Sequence, residues 1–152
     1  MYLITMISFL VRRIKEVDFE NGFFETLSNL TTVGDIRINE YRKEIINRIL
    51  DDQNYIIIVA EEQENHTIIG TATLLIEQKF IHDGGKVGHI EDVATRAGYE
   101  GIGVGKKIIQ RLIEISKDLK CYKIILDCDD KVIGFYEKLG FKKKAVMMRL
   151  DL

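Results

Sequence analysis

The sequence predicts a mixed α/β fold, a mostly antiparallel sheet with helices on its faces. Three observations carry that expectation. First, three apolar runs follow one another mid-chain: YIIIVAEE (55–62), IIGTATLLIEQKFI (68–81) and VGHIEDVAT (87–95), separated only by short polar or glycine-rich turns. Consecutive strands joined this way form hairpins. Second, a strand, a long apolar-striped helix and another strand come next, the pattern of a parallel pair with a right-handed crossover. Third, two stretches of helical period precede the first run.

Each element has its own justification. MISFLVRRI (6–14) reads as a first strand. Asp18 is placed as an N-cap before FENGFFETLSNL (19–30), where Phe19, Phe23, Leu27 and Leu30 recur at helical spacing until Gly34. A second helix, about 39–50, puts Tyr41, Ile45, Ile46 and Ile49 on one face. The turn HDGGK (82–86) closes a hairpin. The strongest helix follows the glycines at 101–105, with Ile108, Ile109, Leu112, Ile113, Ile115 and Leu119 apolar. YKIILDC (122–128) is a strand, KVIGFYEKL (131–139) a short helix stopped by Gly140, and AVMMRL (145–150) a last strand. The expected order is β-α-α-β-β-β-α-β-α-β.

A chain of 152 residues, 46% hydrophobic and 30% charged, fits one soluble domain, 1–152, able to bury a core without disulfides or metals. A net charge of −2 argues against a general nucleic-acid footprint. Cys121 and Cys128 form no CxxC pair and have no histidine cluster beside them, so no metal is expected. Strand-borne buried thiols in a reducing, cytoplasmic compartment are expected instead. The first eleven residues are apolar, but Arg12 and Arg13 follow them rather than precede them. That is the wrong order for a signal peptide, and the run is too short for a bilayer. The Asn-x-Thr triplets at Asn29 and Asn65 then read as chance matches.

The chemistry concentrates in EGIGVGKK (100–107). A Walker A loop would need glycine where Glu100 stands and Ser or Thr where Lys107 stands. The spacing of Gly101, Gly103 and Gly105 also fails the dinucleotide fingerprint. Alternating glycines still let backbone N–H groups converge on an anion, and the helix starting near Val104 adds its positive end. Lys106 and Lys107 in the first helical turn oppose the helix dipole unless an anion neutralises them. A flexible loop with a solvated lysine pair is the alternative.

That loop resembles the R/Q-x-x-G-x-G/A loop of the GNAT acyl-CoA N-acetyltransferases, which holds the coenzyme A pyrophosphate. Further blocks sharpen the resemblance: LTTVG (30–34), KFIH (79–82), GHIEDV (88–93), CYKIILDC (121–128) and FYEKLGF (135–141), in order along the chain. Together they resemble the glucosamine 6-phosphate N-acetyltransferase family. The resemblance implies the GNAT fold and acetyl transfer from acetyl-CoA to the amine of glucosamine 6-phosphate without an acetyl-enzyme, a step toward UDP-N-acetylglucosamine.

Roles follow from the resemblance residue by residue. It implies that the Val93 N–H polarises the thioester carbonyl, with Ala94 and Thr95 along the coenzyme arm. Gly101, Ile102, Gly103, Val104, Gly105 and Lys106 then surround the pyrophosphate. Tyr136 protonates the leaving thiolate and Asp127 meets the amine. Glu91 and Asp92 face the sugar, and Thr31, Lys79 and His82 face its phosphate. His89 is left as structural. The resemblance also implies a homodimer whose sites draw on both subunits, with AVMMRLDL and YKIILDC apolar enough to meet a partner.

Three positions depart from the family pattern. Glu100 replaces the usual Arg or Gln and is expected to point to solvent. Val132 replaces an asparagine that contacts the coenzyme. Leu150 falls where a last-strand arginine reaches the phosphate, with Arg149 beside it on the opposite face. These departures keep open another small amine or a protein N-terminus as acceptor, and a non-catalytic acyl-CoA-binding module.

Overall fold

The computed structural model describes residues 7–35 and 37–152. The elements are β1 (Phe9–Arg13), a 3-10 turn (Glu16–Glu20), α1 (Phe23–Leu27), α2 (Glu40–Asp51), β2 (Tyr55–Glu62), β3 (Ile68–Gln78), a kinked helical turn (Ile81–Gly84) and β4 (Lys86–Thr95). After these come α3 (Val104–Asp118), β5 (Cys121–Ile125), a 3-10 turn (Asp130–Val132) and α4 (Ile133–Glu137). The strands form one sheet in chain order. β1 through β4 pair antiparallel, and β5 adds to β4 in parallel. The mixed, mostly antiparallel sheet matches the expectation. Met6, the first residue of the expected opening strand, lies outside the described residues.

The two-residue period of the strands sends alternate side chains to two cores. Ile56, Ile58, Leu74 and Ile90 pack under Val104, Ile108, Ile109 and Leu112 of α3, together with Tyr136 of α4. Ile57, Val59 and Ile68 pack on the opposite face against Phe19, Phe23 and Ile46. The apolar face read for the long helix is the buried one, but on the earlier stretches only part of the expected face is buried: Ile46 is, whereas Tyr41 is 71% and Leu30 49% exposed. Asn39 caps α2, its side-chain oxygen accepting the Arg42 N–H at 2.9 Å.

Three local readings are corrected. The expected helix over 19–30 is broken because Gly22 takes a left-handed φ of 98° between the 3-10 turn and α1. Asp18 is not an N-cap. It is the third residue of the 3-10 turn, where it accepts the Lys15 N–H at 2.7 Å and pairs with Arg12. The expected last strand is absent: residues 142–152 are irregular, with Val146 86% and Met148 93% exposed. A strand exists only through ladder partners, and this segment pairs with none of the five strands.

Candidate active site

The register between β3 and β4 slips at one place. Thr71 pairs with Ala94, but Thr73 pairs with Glu91. β4 thus carries one extra residue there, a bulge, with Asp92 at a φ of 50°. On its other edge β4 pairs with β5 only from Lys86 to His89. β5 ends at Ile125, opposite His89, and leaves an open edge of β4 along Ile90 to Thr95. The Arg96 N–H donates to the Ile69 carbonyl of β3 at 2.8 Å. Strand N–H groups alternate sides, so those of Val93 and Thr95 turn to the open edge. Glu91 and Asp92 are exposed at the bulge, Val93 is half-buried and Ala94 is buried.

The glycine loop follows at the end of this edge. Gly101 and Gly103 hold φ of 79° and 93°, and open space surrounds the position of a Cβ on either. The backbone there is left-handed and bare, as a cradle for an anion requires. Gly103 starts α3 without a side-chain cap, so the first N–H groups of a 15-residue helix remain available to a ligand. Val104 points into the core, so only its backbone can serve a coenzyme. Lys106 is exposed, but Lys107 turns to β1, with Nζ 4.5 Å from the Phe9 ring centroid. Lys107 is thus engaged by β1, which leaves Lys106 as the candidate cation beside the glycines.

α4 closes the far side of the gap. A Cβ on Gly105 would stand 3.6 Å from Phe135 Cζ and 3.8 Å from Thr95 Oγ1, so β4, α3 and α4 meet there. Tyr136 is buried between Phe135 and Phe141, both edge-on to it. Burial, and then the neighbouring Cys128 thiol, push its phenol above the ordinary value. It therefore carries its proton through neutral pH and can donate it. Asp127 is exposed just past β5. Of the two cysteines, Cys121 begins β5 half-buried and Cys128 is exposed, which corrects the expectation of two buried thiols.

The residues expected at the phosphate lie elsewhere. Lys79 and His82 flank the turn before β4, at the end of that strand remote from the bulge. Six strand steps from Lys86 to Asp92 make roughly 20 Å. Lys79 Nζ is paired with Glu77, whose other oxygen meets His89 Nε2 at 2.7 Å. The His82 ring lies against Tyr122, centroids 4.2 Å apart. Within one chain, then, Lys79 and His82 do not join Val93, Asp127 and Tyr136. Thr31 is exposed on the connection from α1 to α2. Below that connection a cavity of about 490 Å³ reaches from Val33 and Gly34 to Tyr55, Thr73 and Asp92. Arg149 pairs with Asp151 on the irregular C-terminal segment, and Leu150 is 83% exposed.

Two of the departures have structural consequences. Val132 is half-buried against the main core, so an apolar contact stands where an amide would reach outward. Glu100 does not simply point to solvent, as expected: its carboxylate accepts the Gly98 N–H at 2.7 Å and the Asn29 amide at 3.1 Å. Two loop anchors escaped the sequence reading altogether. Asn29 is one. The other is Tyr99, whose hydroxyl donates to buried Glu62 at 3.0 Å. Neither carries a local signal, because each depends on partners 37 or more positions away.

Comparison with known proteins places the chain in a family. Residues 11–141 match the acetyltransferase (GNAT) family. The chain is 38% identical over 143 residues to the glucosamine 6-phosphate N-acetyltransferase of Arabidopsis thaliana, covering 93% of this chain and 95% of that one. It is 37% identical over 142 residues to a probable glucosamine 6-phosphate N-acetyltransferase of Oryza sativa subsp. japonica, covering 92% and 86%. The crystal structure of the Arabidopsis thaliana enzyme superimposes with a TM-score of 0.89 at 34% identity, over 95% of this chain and 98% of that one. The chain belongs to the acetyltransferase (GNAT) family, within its glucosamine 6-phosphate N-acetyltransferase branch.

Proposed function

We infer that this enzyme transfers acetyl from acetyl-CoA to the 2-amino group of D-glucosamine 6-phosphate, giving N-acetyl-D-glucosamine 6-phosphate and CoA. The observation that carries this reading is the β4 bulge opening beside an uncapped glycine loop, in a chain so similar to enzymes named for that reaction. The glycine cradle fits a pyrophosphate: its backbone is bare, its Cβ positions are open and a helix N-terminus faces it.

The chain's groups have these parts in the reaction. Gly101, Ile102, Gly103, Val104 and Gly105 offer backbone, and Lys106 a charge, to the pyrophosphate. Ala94 and Thr95 align the coenzyme arm along the open edge. The Val93 N–H donates to the thioester oxygen as charge develops there. The neutral amine attacks the carbonyl carbon, a C–N bond forms and the C–S bond breaks. Asp127 orients the amine and accepts its proton, directly or through water. Tyr136 returns a proton to the departing thiolate. Glu91 and Asp92 accept the sugar hydroxyls. Nothing in this sequence needs a cysteine nucleophile, and holding both reactants in line supplies much of the rate.

The same reading makes the enzyme a homodimer. Lys79 and His82 of one copy, with Thr31, would serve the sugar phosphate of the other. The distance of Lys79 and His82 from their own bulge supports this, as does an exposed apolar segment at 145–152. Among the described residues no helix is long and apolar enough to cross a membrane. A reducing cytoplasmic setting, feeding UDP-N-acetylglucosamine synthesis, fits the two free thiols.

The test is thiol release from acetyl-CoA with glucosamine 6-phosphate, glucosamine and a lysine peptide in parallel. Release with the phosphorylated sugar alone is expected. Release with the other amines and not with this sugar would replace the acceptor, a reading that the displacement of Arg149 favours. Binding of acetyl-CoA without any release would leave only a coenzyme-binding module.

A further inference from the structure

Asn29 lies in the turn after α1, two residues before Thr31. Its side-chain amide donates to the Thr95 carbonyl at 2.7 Å and to Glu100 Oε1 at 3.1 Å. The other oxygen of Glu100 accepts the Gly98 N–H. Two side chains thus join three pieces of chain: the segment leading to Thr31, the end of β4, and the loop entering the glycines.

The direction of the Thr95 carbonyl gives this bridge its meaning. The Arg96 N–H points at β3, and across a trans peptide the Thr95 carbonyl points the other way, toward the open edge. Asn29 therefore closes the end of the edge that a coenzyme arm would follow. It marks the corner where such an arm must leave β4 for the glycine cradle. Glu100 holds that corner from the loop side.

We propose that Asn29 and Glu100 are positioning residues that fix the glycine loop against the Thr31 segment, so that coenzyme and acceptor are held in register. This rests on the acetyl-transfer reading above. Glu100 acts through its oxygens as acceptors. Its negative charge is incidental to the bridge and works against a pyrophosphate nearby. A glutamine side chain keeps one acceptor oxygen and puts a donor amide in place of the other, so without the charge it can accept only one of these two hydrogen bonds. The backbone N–H groups at 100 and 98 hold the carboxyl below the usual carboxylate range, so the charge persists at neutral pH.

Wild type, Glu100→Gln, Glu100→Ala, Asn29→Ala and the Asn29→Ala/Glu100→Ala pair separate these roles. Acetyl-CoA binding is read by calorimetry and turnover by thiol release. Glu100→Gln, which keeps one of the two acceptors, should bind acetyl-CoA more weakly than wild type but more tightly than Glu100→Ala. Asn29→Ala and Glu100→Ala should each weaken acetyl-CoA binding and raise the sugar KM, by about three- to tenfold for a lost hydrogen bond. The double variant should be worse than either single one but lose less than their sum, because both share the Asn29–Glu100 hydrogen bond. Glu100→Gln as weak as Glu100→Ala, or losses that add in full, would overturn the proposal. Wild type that binds acetyl-CoA but acetylates no amine would sink the acetyl-transfer reading instead. The calorimetric ranking of Glu100→Gln above Glu100→Ala would then still decide the positioning of the loop.

Discussion

Arg12 grips Asp18 with both terminal nitrogens, each bond at 2.7 Å, and its Nε reaches Glu61 at 2.6 Å. The Asp18 carboxylate is only 2% exposed. Removing Asp18 leaves Glu61 to compensate the Arg12 charge but strips the acceptor from two Arg12 N–H groups and from the Lys15 N–H. Asp18→Ala should lower unfolding stability by about 1–3 kcal/mol. Urea denaturation measures it, and turnover per folded molecule should not change. A loss within the scatter of surface substitutions would show that the pair contributes little.

Acid should weaken the same region. Hydrogen bonds from His66 and then Arg12 hold the Glu61 carboxyl below its ordinary range. A carboxyl depressed in the folded state stabilises above its unfolded pKa, and that stability is lost as pH falls through the folded value. Urea stability should therefore decline below about pH 4.3, the ordinary value for glutamate. Glu61→Gln should flatten that decline. An equally steep decline in the variant would place the acid sensitivity elsewhere.

Gly103 and Gly105 should fail in different ways. At Gly103 the φ of 93° penalises any Cβ, so Gly103→Ala should cost about 1–2 kcal/mol of stability and also weaken acetyl-CoA binding. Gly105 sits in α3, where alanine is the better helix former by about 1 kcal/mol. Its Cβ would meet Phe135 and Thr95 at ordinary contact distances, so Gly105→Ala should fold at least as stably. It narrows the passage between those residues, and acetyl-CoA should bind about tenfold more weakly, near 1.4 kcal/mol. Unchanged affinity would mean that the coenzyme does not pass there.

Tyr136→Phe should keep acetyl-CoA affinity within about twofold and lose about a hundredfold in kcat, the scale of one general acid. Because the phenol is pushed above its ordinary value, wild-type kcat should show no loss from its deprotonation up to about pH 10. A variant as fast as wild type would remove Tyr136 from the proton path.

Light scattering should give the full chain twice its 17.5 kDa mass. Ending the chain at Lys144 should give single chains that keep the five-stranded sheet but lose turnover of the sugar phosphate. A full-length chain at the mass of one copy would end the dimer reading.

Local pattern carried far in this protein. Apolar runs bounded by turn residues located β2, β3 and β4, helical spacing located α2 and α3, and the glycines marked the loop before α3. These features depend on neighbours within a few residues, and hydrophobic burial then selects their faces. Tertiary structure alone decided the rest. The bulge at Asp92 arises from register against β3, and no residue type announces it. The Asn29–Glu100–Thr95 bridge joins residues 66 or more positions apart on one arm. AVMMRL has the composition of a strand but no ladder partner among the five strands, because a strand is a property of two segments and not of one. Lys79 and His82 carry the right chemistry for a phosphate, yet the length of β4 sets them apart from the bulge. That separation is a distance in space, and residue spacing along the chain does not encode it.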